Sequence, residues 1–252
     1  MIIFDIETGP LPEEIVLERA KPYIPLEHPG FFNPDAVKLG NTKDPEKKKA
    51  KIVEASVKHG EACLEYEKLS SEHRDAWVKA EMGRAALSAL TGEVLAIGYH
   101  GISSRNKIQI ELSKDTSERE VICDFWKTYD EQYSNGLTMV GHNIFNFDLP
   151  FLIRRSWLLG VMVPPSVVVK EKYLSNTVFG CTMLKWALGD RGSYISLDKL
   201  SGLLGGPRKP EGITGAMFAD MMADDEAGAL EYLKNDLLMT RHVAIAMDFF
   251  EG

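Results

Sequence analysis

Four carboxylates and one phenol stand out by type and spacing. Asp5 and Glu7 lie in the opening run MIIFDIETGP, Asp148 in GHNIFNFDLPFL, and Tyr232 and Asp236 in EYLKNDLLMTRHVA. The first run reads as a strand over 2–8, because Ile2, Ile3, Phe4 and Ile6 are β-branched or aromatic and Gly9-Pro10 breaks it. Side chains alternate across a strand, so Asp5 and Glu7 point to one face. Two such carboxylates repel by about 1 kcal/mol at ~4 Å in bulk water, and by more near a protein surface. A divalent cation between them reverses the sign. The other reading is a strand end that reaches solvent, with both groups hydrated.

The remaining acids carry the same ambiguity singly. Asn143 follows a buried strand pattern, and Asp148 falls at the start of a helix, where a carboxylate is a good N-cap. Tyr232 and Asp236 are four apart on a helix and share a face, with Leu233, Leu237, Val243 and Ala244 turned inward. Tyr232 as an edge-of-core aromatic and Asp236 as a solvated charge is the plain alternative.

Taken together the three blocks resemble the DEDD (DnaQ-like) 3′–5′ exonuclease superfamily, of ribonuclease H-like fold. Asp5-Ile6-Glu7 resembles its DxE motif, Asn143 to Phe147-Asp148 its NxxxFD motif, and Tyr232 to Asp236 its YxxxD motif. The tyrosine marks the DEDDy branch. The wording of FDIETGP, GEVLAIGYHG and GHNIFNFDLPFLIRRSWLLG is most similar to the proofreading domain of family B DNA polymerases. No polymerase domain follows, so a stand-alone enzyme is expected. The resemblance spans about 1–9 and 92–250 and leaves out 11–90.

The resemblance implies a fold, a reaction and a set of roles. The fold is α/β, a ribonuclease H-like mixed sheet flanked by helices, with a largely helical insertion after the first strand. The activity is hydrolysis of phosphodiester bonds at single-stranded DNA 3′ ends by two magnesium ions, with manganese able to substitute. Asp5, Glu7 and Asp236 would hold one ion, and Asp5 would also reach the second, with Asp148 contributing directly or through water. A phenol of ordinary pKa near 10 is a poor base at neutral pH, so Tyr232 would orient the attacking water. Thr8 and Leu11 are the matching candidates for a hydroxyl contact and an apolar wedge at the terminal nucleotide. Asn143 and Phe147 could shape the adjoining pocket. Arg154, Arg155, Lys170, Lys172, Arg208 and Lys209 are candidate phosphate contacts, or else solvated surface charges.

These residues need elements to carry them. Residues 11–40 are rich in Pro, Gly and aromatics without a period and read as irregular. Residues 44–87 mix both charge signs with almost no Gly or Pro and read as one or two long surface helices starting near Pro45, with Ile52, Ala55, Cys63, Tyr66 and Trp77 as an apolar stripe. GEVLAIGYHG and KIQIELS form a hairpin through a turn at 104–106. A helix over 117–133 turns Val121, Phe125 and Trp126 inward. A strand follows at 137–143, then a helix over 149–159 closed by Gly160, a strand or extended loop at 167–174, a helix over 195–205 and a last helix over 225–250. The order gives a single domain, 1–252, carrying the 11–90 insertion.

Composition bounds the alternatives. Hydrophobic residues make up 44% and charged residues 26%, as in ordinary globular proteins. No apolar run approaches the ~18 residues of a membrane span, and the N-terminal run is too short and acidic for a signal peptide. Cys63, Cys123 and Cys181 are scattered, without a CxxC pair, so reduced thiols and a cytoplasmic setting are expected. A net charge of −8 runs against a general nucleic-acid binder, but carboxylates around metal ions count as negative while presenting a positive site. His142 is expected to hydrogen-bond locally, and His28, His59, His73, His100 and His242 show no HxxxH spacing. No GxSxG, Walker or GxGxxG motif occurs. The insertion, with its run Lys47, Lys48, Lys49 and Lys51, is read as a cover or a homo-oligomer contact rather than a nucleic-acid clamp. The competing functions are a 3′–5′ exoribonuclease of the same fold, a single-strand-binding module that has lost catalysis, and a phosphatase acting on nucleotides.

Overall fold

The computed structural model describes residues 1–41, 43–101, 107–167, 169–170, 173–174 and 178–249. The expected turn at 104–106, Lys172 and Phe250 lie outside the described residues. The chain divides into two compact units, Met1–Arg19 with Arg84–Gly252, and Ala20–Gly83.

The first unit is built on a five-stranded mixed sheet. Its strands are β1 (Ile2–Pro10), β2 (Gly92–Gly101), β3 (Ile108–Leu112), β4 (Met139–Gly141) and β7 (Phe179–Cys181), in the order β3-β2-β1-β4-β7. β1 pairs antiparallel with β2 along its whole length, with a bulge between Glu7 and Thr8. On its other side β1 runs parallel to β4 but pairs only at Ile2 and Ile3. Beyond Ile3 that edge of β1 has no strand partner among the described residues. β4 pairs in parallel with β7, and β5 (Val169–Lys170) and β6 (Tyr173–Leu174) form a separate antiparallel pair.

The alternation along β1 decides which helices its residues meet. Phe4 and Ile6 join Ile97, Phe125, Tyr129, Leu149 and Leu152, under α3 (Glu118–Ser134) and α4 (Asp148–Leu158). Ile3 joins Ala96, Val140, Phe218, Leu233 and Leu237, under α7 (Phe218–Asp224) and α8 (Glu226–Ala246). Asp5 and Glu7, in phase with Ile3, therefore face the α8 side. α8 approaches closely because Gly98 has no side chain. A Cβ there would lie 2.8 Å from Leu237 Cδ1 and 3.1 Å from Leu233 Cγ. α6 (Leu197–Leu203) packs on α8 through Leu197 and Leu200 against Met239 and Val243.

The second unit contains most of α2 (Pro45–Ala85), one continuous 41-residue helix about 60 Å long. The segment ahead of it runs antiparallel along the helix as an aromatic zipper. Tyr23 packs at a tilt against His73 and Trp77, His28 packs edge-on against Tyr66 and Phe32 at a tilt against His59. The Tyr23 hydroxyl also bonds His73 Nδ1 at 3.0 Å. Ile52, Ala55, Cys63, Tyr66 and Trp77 are half-buried along one side, as the apolar stripe requires.

Several elements differ from the sequence reading. The irregular stretch contains a short helix, α1 (Glu13–Arg19), whose Val16 is buried. The strand expected over 137–143 is cut to three residues, because Asn143 turns left-handed at φ 64° and ends the extended run. α5 (Thr182–Ala187) and β7 were not anticipated, since neither is long enough to show a period. The last helix expected over 225–250 is α8, which starts where the Asp225 side chain caps it by accepting from the Gly228 amide, and the short α7 before it has no counterpart in the sequence reading. No described helix is long and apolar enough to cross a membrane.

Candidate active site

Two acids of β1 meet a third, distant in sequence, where β1 passes under α8. Asp5, Glu7 and Asp236 each present a carboxylate oxygen, all within 4.8 Å of one another. Asp5 is partly exposed, while Glu7 and Asp236 are buried, so the reading of these two as hydrated surface charges does not hold. Asp236 reaches the cluster because α8 turns Leu233 and Leu237 onto the sheet and leaves Tyr232 and Asp236 beside β1.

Asp148 approaches from the free edge of β1. Its carboxylate accepts a hydrogen bond from the Ile6 amide, between Asp5 and Glu7 in sequence, and one from its own amide. It is not the N-cap of α4: Phe147 holds that position without a side-chain bond, and Asp148 is the first helical residue, 3% exposed. The negative charge of Asp148 is felt by both Asp5 and Glu7.

The electrostatics are those of a crowded, dry site. Burial, then the charges of Asp148, Asp236 and Glu7, push the Asp5 carboxyl well above the carboxylate range. Burial and Asp236 do the same to Glu7, with Lys209 opposing. Burial lifts Asp148 to about 7 against its two amide bonds, and lifts Asp236 against the pull of Lys209. Oδ1 of Asp148 and Oδ1 of Asp236 are buried without a hydrogen-bond donor among the described residues. Buried carboxylate oxygens that lack donors cost stability unless a cation meets them. Hard oxygen donors with unused lone pairs are what a magnesium-like ion takes, so the donor set fits a divalent cation.

One positive side chain already lies in the cluster. Lys209, between α6 and α7, donates to Asp236 Oδ2 at 2.6 Å and to the Tyr232 hydroxyl, and its ammonium lies 4.3 Å from the centre of the Tyr232 ring. Burial alone would lower its pKa, but Asp236 and Tyr232 hold it above the ordinary value. Tyr232 hydrogen-bonds Asp236 as well, packs on Phe218, and is raised to about 12 by burial and the Asp236 charge. It stays a neutral phenol through the physiological range. The sequence reading names Lys209 only as one of six phosphate contacts, since no spacing links position 209 to position 236.

The other candidates fall in different places. The Thr8 hydroxyl is buried and donates to the Ala86 carbonyl at 2.7 Å, which commits its hydrogen. Leu11 is half-exposed and its amide bonds the Thr91 carbonyl. Asn143 Oδ1 accepts from Asn146, and the Phe147 ring packs against Phe151. Arg155 is no surface cation: it is buried and makes a bidentate pair with Glu118 at 2.7 and 2.5 Å. Arg154 is exposed, and Arg208 pairs with Asp198. The His142 contacts are distant in sequence rather than local: Nδ1 with the Thr182 hydroxyl at 2.8 Å and Nε2 with the Ile195 carbonyl at 2.9 Å. They tie the turn after β4 to the segment before α6.

No protein-family model matches the chain, and no curated protein matches it. Among solved structures it is similar to the family B DNA polymerase of the hyperthermophilic archaeon Pyrobaculum calidifontis, with a TM-score of 0.51 and 19% identity over 65% of this chain. The matched part is 22% of the polymerase chain. At that identity the likeness is one of fold.

Proposed function

We propose that the chain is a metal-dependent 3′–5′ exonuclease of the DEDDy branch, with a ribonuclease H-like fold, that removes nucleoside monophosphates from single-stranded DNA 3′ ends. The observation that carries this reading is the meeting of Asp5, Glu7 and Asp236 within 4.8 Å, with the charge of Asp148 acting on Asp5 and Glu7 and two carboxylate oxygens lacking donors among the described residues. The fold shared with part of a DNA polymerase supports a nucleic-acid substrate over a small phosphate ester.

Asp5, Glu7 and Asp236 would hold one magnesium or manganese ion, and Asp5 and Asp148 a second. Bound there, such ions lower the pKa of an attacking water and stabilise the leaving oxygen. The remaining work falls to the chain. Tyr232, neutral up to about 12, is no base and instead orients the water through its hydroxyl. Lys209 keeps its charge and holds both Tyr232 and Asp236 in register. Thr8 offers only its oxygen as an acceptor, so the terminal nucleotide is met chiefly by Leu11, Asn143 and Phe147. Self-association through 20–83 belongs to the same proposal, since Val53, Val57 and Leu64 are exposed on α2. Sedimentation velocity of the full chain reads it.

Incubation of 5′-labelled DNA and RNA oligomers with magnesium, with and without chelator, tests the function. A chelator-sensitive ladder of shortened DNA is the expected result. Faster shortening of RNA selects the exoribonuclease. A mobility shift with neither oligomer shortened selects a binding module and ends the nuclease reading.

A further inference from the structure

Lys209 is the one ammonium bonded to the acid cluster among the described residues, and the chain around it is tied down by five hydrogen bonds from three side chains. The Asp198 carboxylate, in the first turn of α6 beyond the Ser196 cap, accepts from Arg208 Nε at 2.9 Å, from Arg208 Nη2 at 2.6 Å and from the Lys209 amide at 2.7 Å. The Ser201 hydroxyl donates to the Pro207 carbonyl at 2.7 Å. Asn235, next to Asp236, donates to the Arg208 carbonyl at 3.1 Å. Gly202, one turn after Asp198, leaves bare backbone under the Arg208 side chain, where a Cβ would lie 2.6 Å from Cδ and 2.8 Å from Nη1. Pro210 then biases Lys209 toward an extended conformation.

An exposed ion pair alone fixes little. A bidentate pair that also takes a backbone amide fixes direction. Here that amide belongs to the residue whose side chain enters the cluster. A loop that only joined α6 to α7 would have no use for so many ties at 207–209.

We propose that Asp198 is a positioning residue: paired with Arg208, it latches the loop so that the Lys209 ammonium is held on Asp236 and Tyr232. The catalytic value of that ammonium rests on the nuclease reading, but the latch rests on geometry alone.

Amine labelling of the full chain tests the latch without reference to activity. Acetic anhydride modification is read by peptide mass for wild type, Asp198→Ala and Arg208→Met, with thermal midpoints to establish folding. Lys209 is expected to label about tenfold faster in Asp198→Ala, the loss of roughly one charge-assisted hydrogen bond, and less markedly faster in Arg208→Met. Lys199 and Lys234 serve as unchanged controls. Unaltered Lys209 labelling in both folded variants overturns the latch. A double-mutant cycle adds the catalytic readout. Asp198→Ala is expected to lower kcat about tenfold in the wild-type background and less than about twofold beside Lys209→Met. Equal losses in both backgrounds overturn the positioning role. If the wild type shortens no oligomer, the nuclease reading fails while labelling still decides the latch.

Discussion

Lys209 meets Asp236 at 2.6 Å, and Lys58 meets Glu54 at 2.8 Å. By distance the two pairs are alike. Their surroundings differ: the side chains are 23% and 8% exposed in the first pair, 72% and 66% in the second. Water around Lys58 and Glu54 does most of what each charge needs. Glu54 is lowered by its hydrogen bond from Lys58, as an exposed acid is, whereas Asp236 is raised by burial in spite of its lysine. The same residue types are solvated surface on α2 and strained, chemically available donors under α8. Burial, rather than contact distance, separates a site from a surface.

The contrast is broken most forcefully by removing a carboxylate. Asp5→Ala and Asp236→Ala should each lower single-turnover cleavage of labelled single-stranded DNA by about a thousandfold or more, the loss expected when several kcal/mol of charge stabilisation goes. Glu54→Ala, measured the same way, should leave cleavage at the wild-type rate. Tyr232→Phe should cost less, about tenfold, because orienting a water is a smaller contribution than holding a cation. A loss equal to that of Asp5→Ala would give Tyr232 a larger part than orientation.

The effect of pH sharpens the same comparison. Asp148 rises from 3.8 to about 7 on folding, so between those values the native state keeps a proton that the unfolded chain has released. Stability of the metal-free protein should therefore fall as pH rises across that window, and Asp5 and Glu7 shift in the same direction. Thermal unfolding between pH 4 and 8 reads this. Asp148→Asn should flatten the profile, and magnesium at pH 8 should raise the midpoint by binding the native state. The smallest effect is expected on α2, where Lys58→Ala should change stability by no more than about 0.5 kcal/mol in denaturant titrations.

What the sequence reveals depends on whether a residue's role is local. Asp5 and Glu7 share a face because strands alternate, and Tyr232 and Asp236 share one because helices turn every 3.6 residues, so both pairs can be read from spacing. The hairpin of β2 and β3, the helix α3 with its Ser117 cap, and the Gly160 stop after α4 follow from equally local rules. Arg155 and Lys209 could not be sorted this way. Each directly follows an arginine in sequence, yet one is sealed against Glu118 and the other enters the acid cluster, and only tertiary packing distinguishes them. Asp148 illustrates the same limit: its helix-start position suggests a cap, while the free edge of β1 turns its carboxylate to the Ile6 amide. Asp198 carries no motif at all, and its meaning lies in a loop ten residues on.

Manganese titration followed by electron paramagnetic resonance tests the central claim most directly, namely that acids from opposite ends of the chain form one cation seat. The account predicts saturable binding by the wild type, weakened about a hundredfold or more in both Asp5→Ala and Asp236→Ala, as loss of a ligand to a hard cation requires. Equal manganese affinity in the wild type and both variants would contradict it.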